Sequence, residues 1–324
     1  MRPAIARAHR TARAIVVGIL LAAACSSDGA VGPVPDPVPG PGDFTRVLAF
    51  DGRTRSYLLH VPPGPASSPS PPLVLAFHGV PGGPEQIRSI TGFDALADRE
   101  GFVVAYPEAV DDWWTGCANC NSRAFLLNID DVGFVRALIR QLEADAGIDP
   151  RRVYAAGFSN GALFTQRLAC DAADRIAAFA SVGATALEPN AVPLCTPGAR
   201  APIVFFHGSL DPSFPPDGRT FGNPPTEVST LTIDETLEAW VERNGCQPAT
   251  PERTDLPDVE PDGTTAVRES WSGCDRGDLN FYEITGGGHT WPGSTVDFND
   301  FLGPESHDVV ASDAIVDFFL SHAL

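Results

Sequence analysis

Apolar residues recur along this chain in two patterns. Short continuous runs have the length and content of strands buried on both faces: PLVLAF (72–77), FVVAYP (102–107), RVYAA (152–156), IAAFASVGA (176–184) and PIVFF (202–206). Longer stretches with apolar residues every three or four positions predict helices: FDALADREG (93–101), NIDDVGFVRALIRQLEADAG (128–147), GALFTQRLAC (161–170), IDETLEAWVERNG (233–245) and SDAIVDFFLSHAL (312–324). In the second of these Asn128 is the predicted N-cap, acids fill the first turn and Gly147 is the stop signal. TRVLAF (45–50) and RSYLLHV (55–61) flank Asp51-Gly52, a strong hairpin turn signal. VRESWSG (267–273) and LNFYEIT (279–285) predict two further strands. Strands that alternate with helices imply βαβ units, so the predicted fold class is α/β. It has a mostly parallel central sheet, antiparallel strands at its N-terminal edge and helices on both faces.

The first 43 residues break this pattern. Residues 1–25 carry four arginines and no acid, then the apolar run AIVVGILLAAA, then Cys25. A basic start, a short apolar stretch and small residues before a cysteine read as a secretory signal. LAAAC also resembles a bacterial lipobox, which predicts lipidation of Cys25 and a membrane anchor in the cell envelope; plain secretion is the alternative. Residues 26–43, SSDGAVGPVPDPVPGPGD, are a Pro/Gly-rich linker. Residues 44–324 form the predicted catalytic domain, with no composition shift to mark another.

Charge narrows the function classes. All 22 basic residues are arginine, which excludes a lysine Schiff base and a P-loop lysine. The formal net charge is −19, and loss of the leader makes it more negative. A surface that acidic is a poor match for nucleic acid or anionic lipid. Apart from Cys25 there are six cysteines, an even number that suggests disulfides in an exported chain. Their order suggests three local pairs, Cys117–Cys120, Cys170–Cys195 and Cys246–Cys274, among about 15 connectivities. The CANC motif lacks the further ligands a zinc site needs, so no metal is expected.

Four places carry candidate chemistry. Gly157-Phe158-Ser159-Asn160-Gly161 is a G-x-S-x-G match between a predicted strand and a helix, the setting of a nucleophile elbow. The Asn160 N–H, at the helix start, is a candidate oxyanion donor. The loop LAFHGVPGGPEQ (75–86) follows an early central strand and offers the Val80 N–H as the second. Of seven histidines His289, in the late loop ITGGGHTWPG, best fits a general base. Asp211, just past PIVFF, best fits the acid that orients it; Asp217 and Asp234 are alternatives. The order Ser159, Asp211, His289 is that of the α/β-hydrolase fold. Such a triad proceeds through an acyl-enzyme and needs no cofactor.

HGVPGG, YPEAVDDWW, IDDVGFVRALI, GFSNGA, HGSLDPSFP, AWVERNGC and GGGHTWPG occur in this order. Together they resemble the polyhydroxybutyrate depolymerase / feruloyl esterase family of α/β-hydrolases, especially its exported LpqC-like branch. The resemblance spans about residues 44 to 323. It implies a serine carboxylic-ester hydrolase with Ser159, Asp211 and His289 as triad. It places Trp114 and Trp291 near the substrate pocket, to which His78 and Phe214 are added as candidate lining residues. GALF departs from the Gly-Gly-Met that usually opens the helix after the nucleophile. Granule-attacking depolymerases often carry a separate substrate-binding domain, and none is expected here. The expected partner is therefore a soluble oligoester or polyester fragment, or an acylated (feruloyl or acetyl) polysaccharide, met by a monomer. A serine peptidase of the same fold ranks lower. A non-catalytic surface lipoprotein that binds glycans or partners is the reading from another class, and the complete Ser/Asp/His set counts against it.

Overall fold

The computed structural model describes residues 40–63, 70–116, 123–188, 200–221, 227–298 and 300–324. All of them fall within the unit Pro35–Leu324. The predicted leader, Cys25 and most of the linker lie outside the described residues, as do Cys117, Cys120 and Cys195.

In chain order the elements are β1 (Gly42–Phe50), β2 (Arg53–Val61), β3 (Leu73–Phe77), α1 (Pro84–Thr91), α2 (Phe93–Glu100), β4 (Val103–Pro107), α3 (Arg123–Leu126), α4 (Asp131–Asp145), β5 (Val153–Phe158), α5 (Asn160–Asp171), β6 (Ala178–Val182) and β7 (Ile203–Gly208). They continue with β8 (Thr220–Phe221), β9 (Val228–Ser229), α6 (Ile233–Asn244), β10 (Glu252–Asp255), β11 (Thr265–Trp271), β12 (Leu279–Thr285) and α7 (Ala311–Leu320). Ten strands form one sheet in the order β1-β2-β4-β3-β5-β6-β7-β12-β11-β10. From β4 to β12 neighbours run parallel, and the strands beyond them at each edge are antiparallel.

The continuous apolar runs are explained by burial on both faces. Along β3, Leu73, Leu75 and Phe77 enter one core while Val74 and Ala76 enter the other. β7 divides likewise, Ile203 and Phe205 against Val204 and Phe206. Successive side chains of a strand point to opposite faces, so only an unbroken apolar run fills both cores. Leu138 of α4, Phe164 of α5 and Trp240 of α6 close the first core; Ile90 of α1, Phe93 of α2 and Phe319 of α7 close the second.

The β1–β2 hairpin turns where Asp51-Gly52 predicts, with φ of 50° and 69° at the two positions. Positive φ at both is what a two-residue hairpin loop requires. The helix predicted from Asn128 starts later. Asn128 is left-handed at φ 52°, and Asp130 is the N-cap, accepting from the Gly133 N–H. Asn128 therefore belongs to the turn that leads into the helix, and the Asp130 carboxylate, two residues on, takes the capping role. Three features carry no periodic signal in the sequence. α1 lies inside a Gly/Pro-rich loop, with Pro84 in its first turn. β10 is a polar edge strand, and β8–β9 form a two-residue ribbon.

Candidate active site

The parallel strands end at one edge of the sheet, where α/β folds place ligands. β3 runs into His78-Gly79-Val80, β5 into Ser159, β7 into the turn at Asp211, and β12 into the loop of His289.

Ser159 sits between β5 and α5 at φ 57° and ψ −118°, outside the ordinary regions for a non-glycine residue. Its N–H donates to the Val182 carbonyl at 2.9 Å, which ties the turn to β6. A Cβ on Gly157 would lie 2.1 Å from the Gly161 carbonyl oxygen, and one on Gly161 would lie 2.2 Å from that of Phe77. Only glycine fits at both positions, and the backbone approach is what makes the turn so sharp. The Ser159 carbonyl accepts from Ala162 and Leu163, the first closed turn of α5. Among the described residues the N–H groups of Asn160 and Val80 have no protein acceptor, and both residues line the cavity that Ser159 lines.

His289 Nδ1 lies 2.8 Å from Asp211 Oδ2, both side chains being nearly inaccessible. A carboxylate only accepts, so Nδ1 carries a proton, and in the neutral ring the lone pair is on Nε2. The other Asp211 oxygen accepts the Ser213 and Phe214 N–H groups at 2.8 and 2.7 Å. These bonds hold the carboxylate with one oxygen towards the imidazole. His207, the last-but-one residue of β7, donates from Nε2 to the Phe214 carbonyl at 2.7 Å and pins the same turn from beneath. Burial pushes the His207 pKa below its usual 6.5, so it stays neutral beside Asp211. The Phe158 and Phe214 rings pack on His289 with centroids 4.9 and 5.9 Å away.

The cavity has a volume of about 810 Å³ and is mainly apolar. Ser159, Asn160, Val80, His289, Trp114 and Phe214 all line it, so the structure brings together most of the residues singled out in the sequence. Two expected pocket residues lie elsewhere. His78 is fully buried behind the loop: Nδ1–H donates to the Gly79 carbonyl at 2.8 Å and Nε2 accepts the Ala109 N–H at 3.2 Å. Burial lowers its pKa as well. Trp291 belongs to the second core, packed edge-on to Phe93, with its indole N–H donating to Ser312. Its amphipathic ring has both an apolar seat and a partner there, which leaves nothing to draw it into the cavity. Asp217 and Asp234 do not approach the imidazole: Asp217 lies in the turn after Phe214, and Asp234 opens α6 beside the Thr232–Glu235 capping box.

Sequence reasoning missed several wall residues, including Trp113, Arg219, Phe221, Phe298 and Phe301. Phe298 and Phe301 carried a faint signal as lone aromatics in the polar stretch STVDFNDFLGP. It also missed how the wall is held. The Asn160 carboxamide accepts the Trp114 N–H at 2.8 Å and donates to the Trp114 carbonyl at 3.4 Å. Next to it the Thr115 N–H and hydroxyl both donate to Asp131, whose other oxygen accepts from Arg55 at 2.8 Å. Arg55 in turn lies 4.0 Å over the Phe134 ring.

One cluster elsewhere has a metal-like donor set. Asp43, His60 and Asp94 bring ligand atoms within 4.8 Å of one another. Arg88 already bonds both carboxylates, at 2.7 and 2.6 Å, so this charge is met by protein cations.

Residues 55–188 match the family described as Esterase PHB depolymerase. "Putative esterase NocK" of Nocardia uniformis subsp. tsuyamanensis is 34% identical over 299 residues, covering 88% of this chain and 84% of that protein. "Feruloyl esterase C" of Emericella nidulans is 29% identical over 241 residues, covering 72% of this chain and 76% of the relative. The acetyl xylan esterase structure from Aspergillus awamori superposes with a TM-score of 0.57 at 16% identity, covering 77% of this chain and 94% of that one, a likeness of fold. Taken with the strand order and the elbow at Ser159, these matches make the chain a member of the Esterase PHB depolymerase family, carboxylic-ester hydrolases built on the α/β-hydrolase fold.

Proposed function

We propose that the chain is an exported serine esterase in which Ser159 is the nucleophile, His289 the general base and Asp211 the acid that orients it. The observation that carries this is the buried Asp211–His289 hydrogen bond at 2.8 Å, facing a cavity that the elbow serine also lines. The Ser159 hydroxyl attacks the ester carbonyl and gives its proton to His289 Nε2. The oxyanion is held by the Asn160 and Val80 N–H groups. Collapse expels the alcohol, which takes its proton from the imidazolium. Water, deprotonated by His289, then attacks the acyl-enzyme; its collapse frees the acid and restores Ser159. The Asp211 carboxylate favours the imidazolium without taking its proton.

The family and the feruloyl esterase relative support acyl groups on polysaccharide or small oligoesters as substrates. The apolar walls of the cavity suit an aromatic or short aliphatic acyl group. The mature domain should hydrolyse p-nitrophenyl butyrate, with Ser159→Ala reducing kcat by at least about 1,000-fold. Turnover in that variant at the wild-type rate overturns the assignment. Methyl ferulate, acetylated xylan and hydroxybutyrate oligomers, compared by kcat/KM, rank the substrate classes. Residues 1–25 hold the export signal and end in Cys25, which is retained as the lipidated N-terminus, the following Pro/Gly-rich segment being the tether. Mass spectrometry of the mature protein should find a diacylglyceryl-modified Cys25; an unmodified start beyond it refutes the anchor.

A further inference from the structure

Most of the cavity wall beyond the candidate triad is apolar. Leu163, Leu187 and Phe214 form a small core of their own, against which Phe221 and Val228 pack. Arg219 breaks this apolar lining, and it is the one arginine among the described lining residues of a chain that has no lysine. Its backbone is fixed where the β8–β9 ribbon begins: the N–H donates to Thr230 Oγ1 at 2.8 Å, and the carbonyl accepts the Thr230 N–H at 2.8 Å. Its side chain is exposed, and its guanidinium has two protein contacts. Nη1 donates to the Pro212 carbonyl at 3.1 Å, and Cζ lies 4.9 Å over the Phe221 ring. Those two contacts use one face and one donor of a group with five N–H donors.

No carboxylate of the described residues pairs with Arg219, in a chain with 41 acids. Arg55, Arg88, Arg99, Arg136, Arg152 and Arg175 each meet at least one. Asp297 also lines the cavity but forms no ion pair with Arg219. Holding the Pro212 carbonyl needs only a neutral donor, and the cation–π contact with Phe221 uses one face of the guanidinium; the charge itself meets no carboxylate among the described residues. An exposed guanidinium with unused donors, held at one donor and one face beside apolar walls, matches the geometry of a carboxylate.

We propose that Arg219 makes this cavity selective for esters that carry a second, anionic group, a free carboxylate a few bonds from the scissile ester. The inference rests on the serine-esterase reading and names its substrate class more closely. The carboxylate docks on the unused donors of Arg219 while the apolar spacer lies along Leu187, Phe214 and Phe221. Elsewhere the acidic surface repels such a substrate, so the attraction is local to the cavity.

The test compares matched pairs by the ratio of their kcat/KM values, so that any loss common to both cancels. Mono-p-nitrophenyl adipate against p-nitrophenyl hexanoate places the charge on the acyl side. 4-Carboxyphenyl acetate against 4-carbamoylphenyl acetate places it on the alcohol side. In one of the two pairs the anionic-to-neutral ratio should fall about fivefold in Arg219→Gln, the size expected of a partly exposed charge pair. Arg219→Lys should recover part of it, and added salt should lower it in the wild type. A ratio that neither substitution nor salt changes in either pair overturns the proposal. A wild-type protein that hydrolyses neither p-nitrophenyl hexanoate nor 4-carbamoylphenyl acetate refutes the esterase reading itself, and this inference with it.

Discussion

At the scale of single residues, Asn160 has two duties that its place in the G-x-S-x-G motif does not reveal. Its backbone N–H is a candidate oxyanion donor, and its side chain clasps the backbone of Trp114. Removing the carboxamide leaves the buried Trp114 N–H unpaired, at a cost of about 1–3 kcal/mol, and loosens the cavity wall. Asn160→Ala should therefore lower kcat/KM for p-nitrophenyl butyrate by about tenfold. Asn160→Asp keeps the acceptor for the Trp114 N–H but sets a carboxylate oxygen against the Trp114 carbonyl and a charge beside the oxyanion, so it should not recover the loss; an Asn160→Ala variant with wild-type kcat/KM argues against the clasp. Further from the cavity, Asp131 holds Thr115 and balances the buried Arg55. Asp131→Ala strands that guanidinium and should destabilise the domain by about 3–5 kcal/mol, read from urea unfolding.

At the scale of elements, the strand–elbow–helix unit depends on backbone contact. A Cβ on Gly161 would collide with the Phe77 carbonyl, so α5 would have to move away from β3. Gly161→Ala should both destabilise the domain and reduce kcat, because the elbow and the Asn160 N–H move with the helix start; an active, fully stable variant contradicts this. The N-terminal hairpin is fastened differently. His60 of β2 bonds Asp43 of β1 at 2.7 Å and Asp98 of α2 at 2.9 Å. Burial pulls the His60 pKa down, but its bonds to Asp43 and Asp98 and the charge of Asp94 outweigh this and raise it above 6.5. The Asp43 pKa is lowered, first by its bond to His60 and then by Arg88. A raised histidine pKa contributes stability below its unfolded value that is lost as pH rises through the folded value; a lowered carboxylate pKa contributes stability that is lost in acid. The clamp is thus strongest between about pH 4 and pH 6.5. The stability difference between wild type and His60→Gln should be larger at pH 5.5 than at pH 8.5.

At the scale of the molecule, Cys246–Cys274 joins the end of α6 to the turn between β11 and β12, across 28 residues of sequence. Closing a loop of that length in the unfolded chain accounts for about 3–4 kcal/mol. The double Cys246→Ser/Cys274→Ser variant should lose stability of that size without losing esterase activity per folded molecule, because the bond lies away from the cavity. The pair was one of three suggested by cysteine order alone. Order suffices when partners are near in sequence and end neighbouring elements.

What the sequence determined by itself follows from local rules. Strands buried on both faces need unbroken apolar runs, hairpins need residues that tolerate positive φ, and an elbow needs glycines on both sides of its serine. Those rules made most of the sheet and the elbow serine Ser159 legible; apolar periodicity gave most of the helices, and position after a strand together with the order along the chain singled out Asp211 and His289. Other features were decided only in three dimensions. His78 and Trp291 stand in the right loops, yet one has its ring nitrogens satisfied by backbone and the other has an apolar seat in the core. Phe298 and Arg219 reach the cavity from loops and Phe301 from a single 3-10 turn, none with a periodic signal. A loop's residue types do not encode the direction its side chains take, because the packing of distant elements sets that direction. The candidate catalytic residues were therefore readable from the sequence, while the wall that selects the substrate was not.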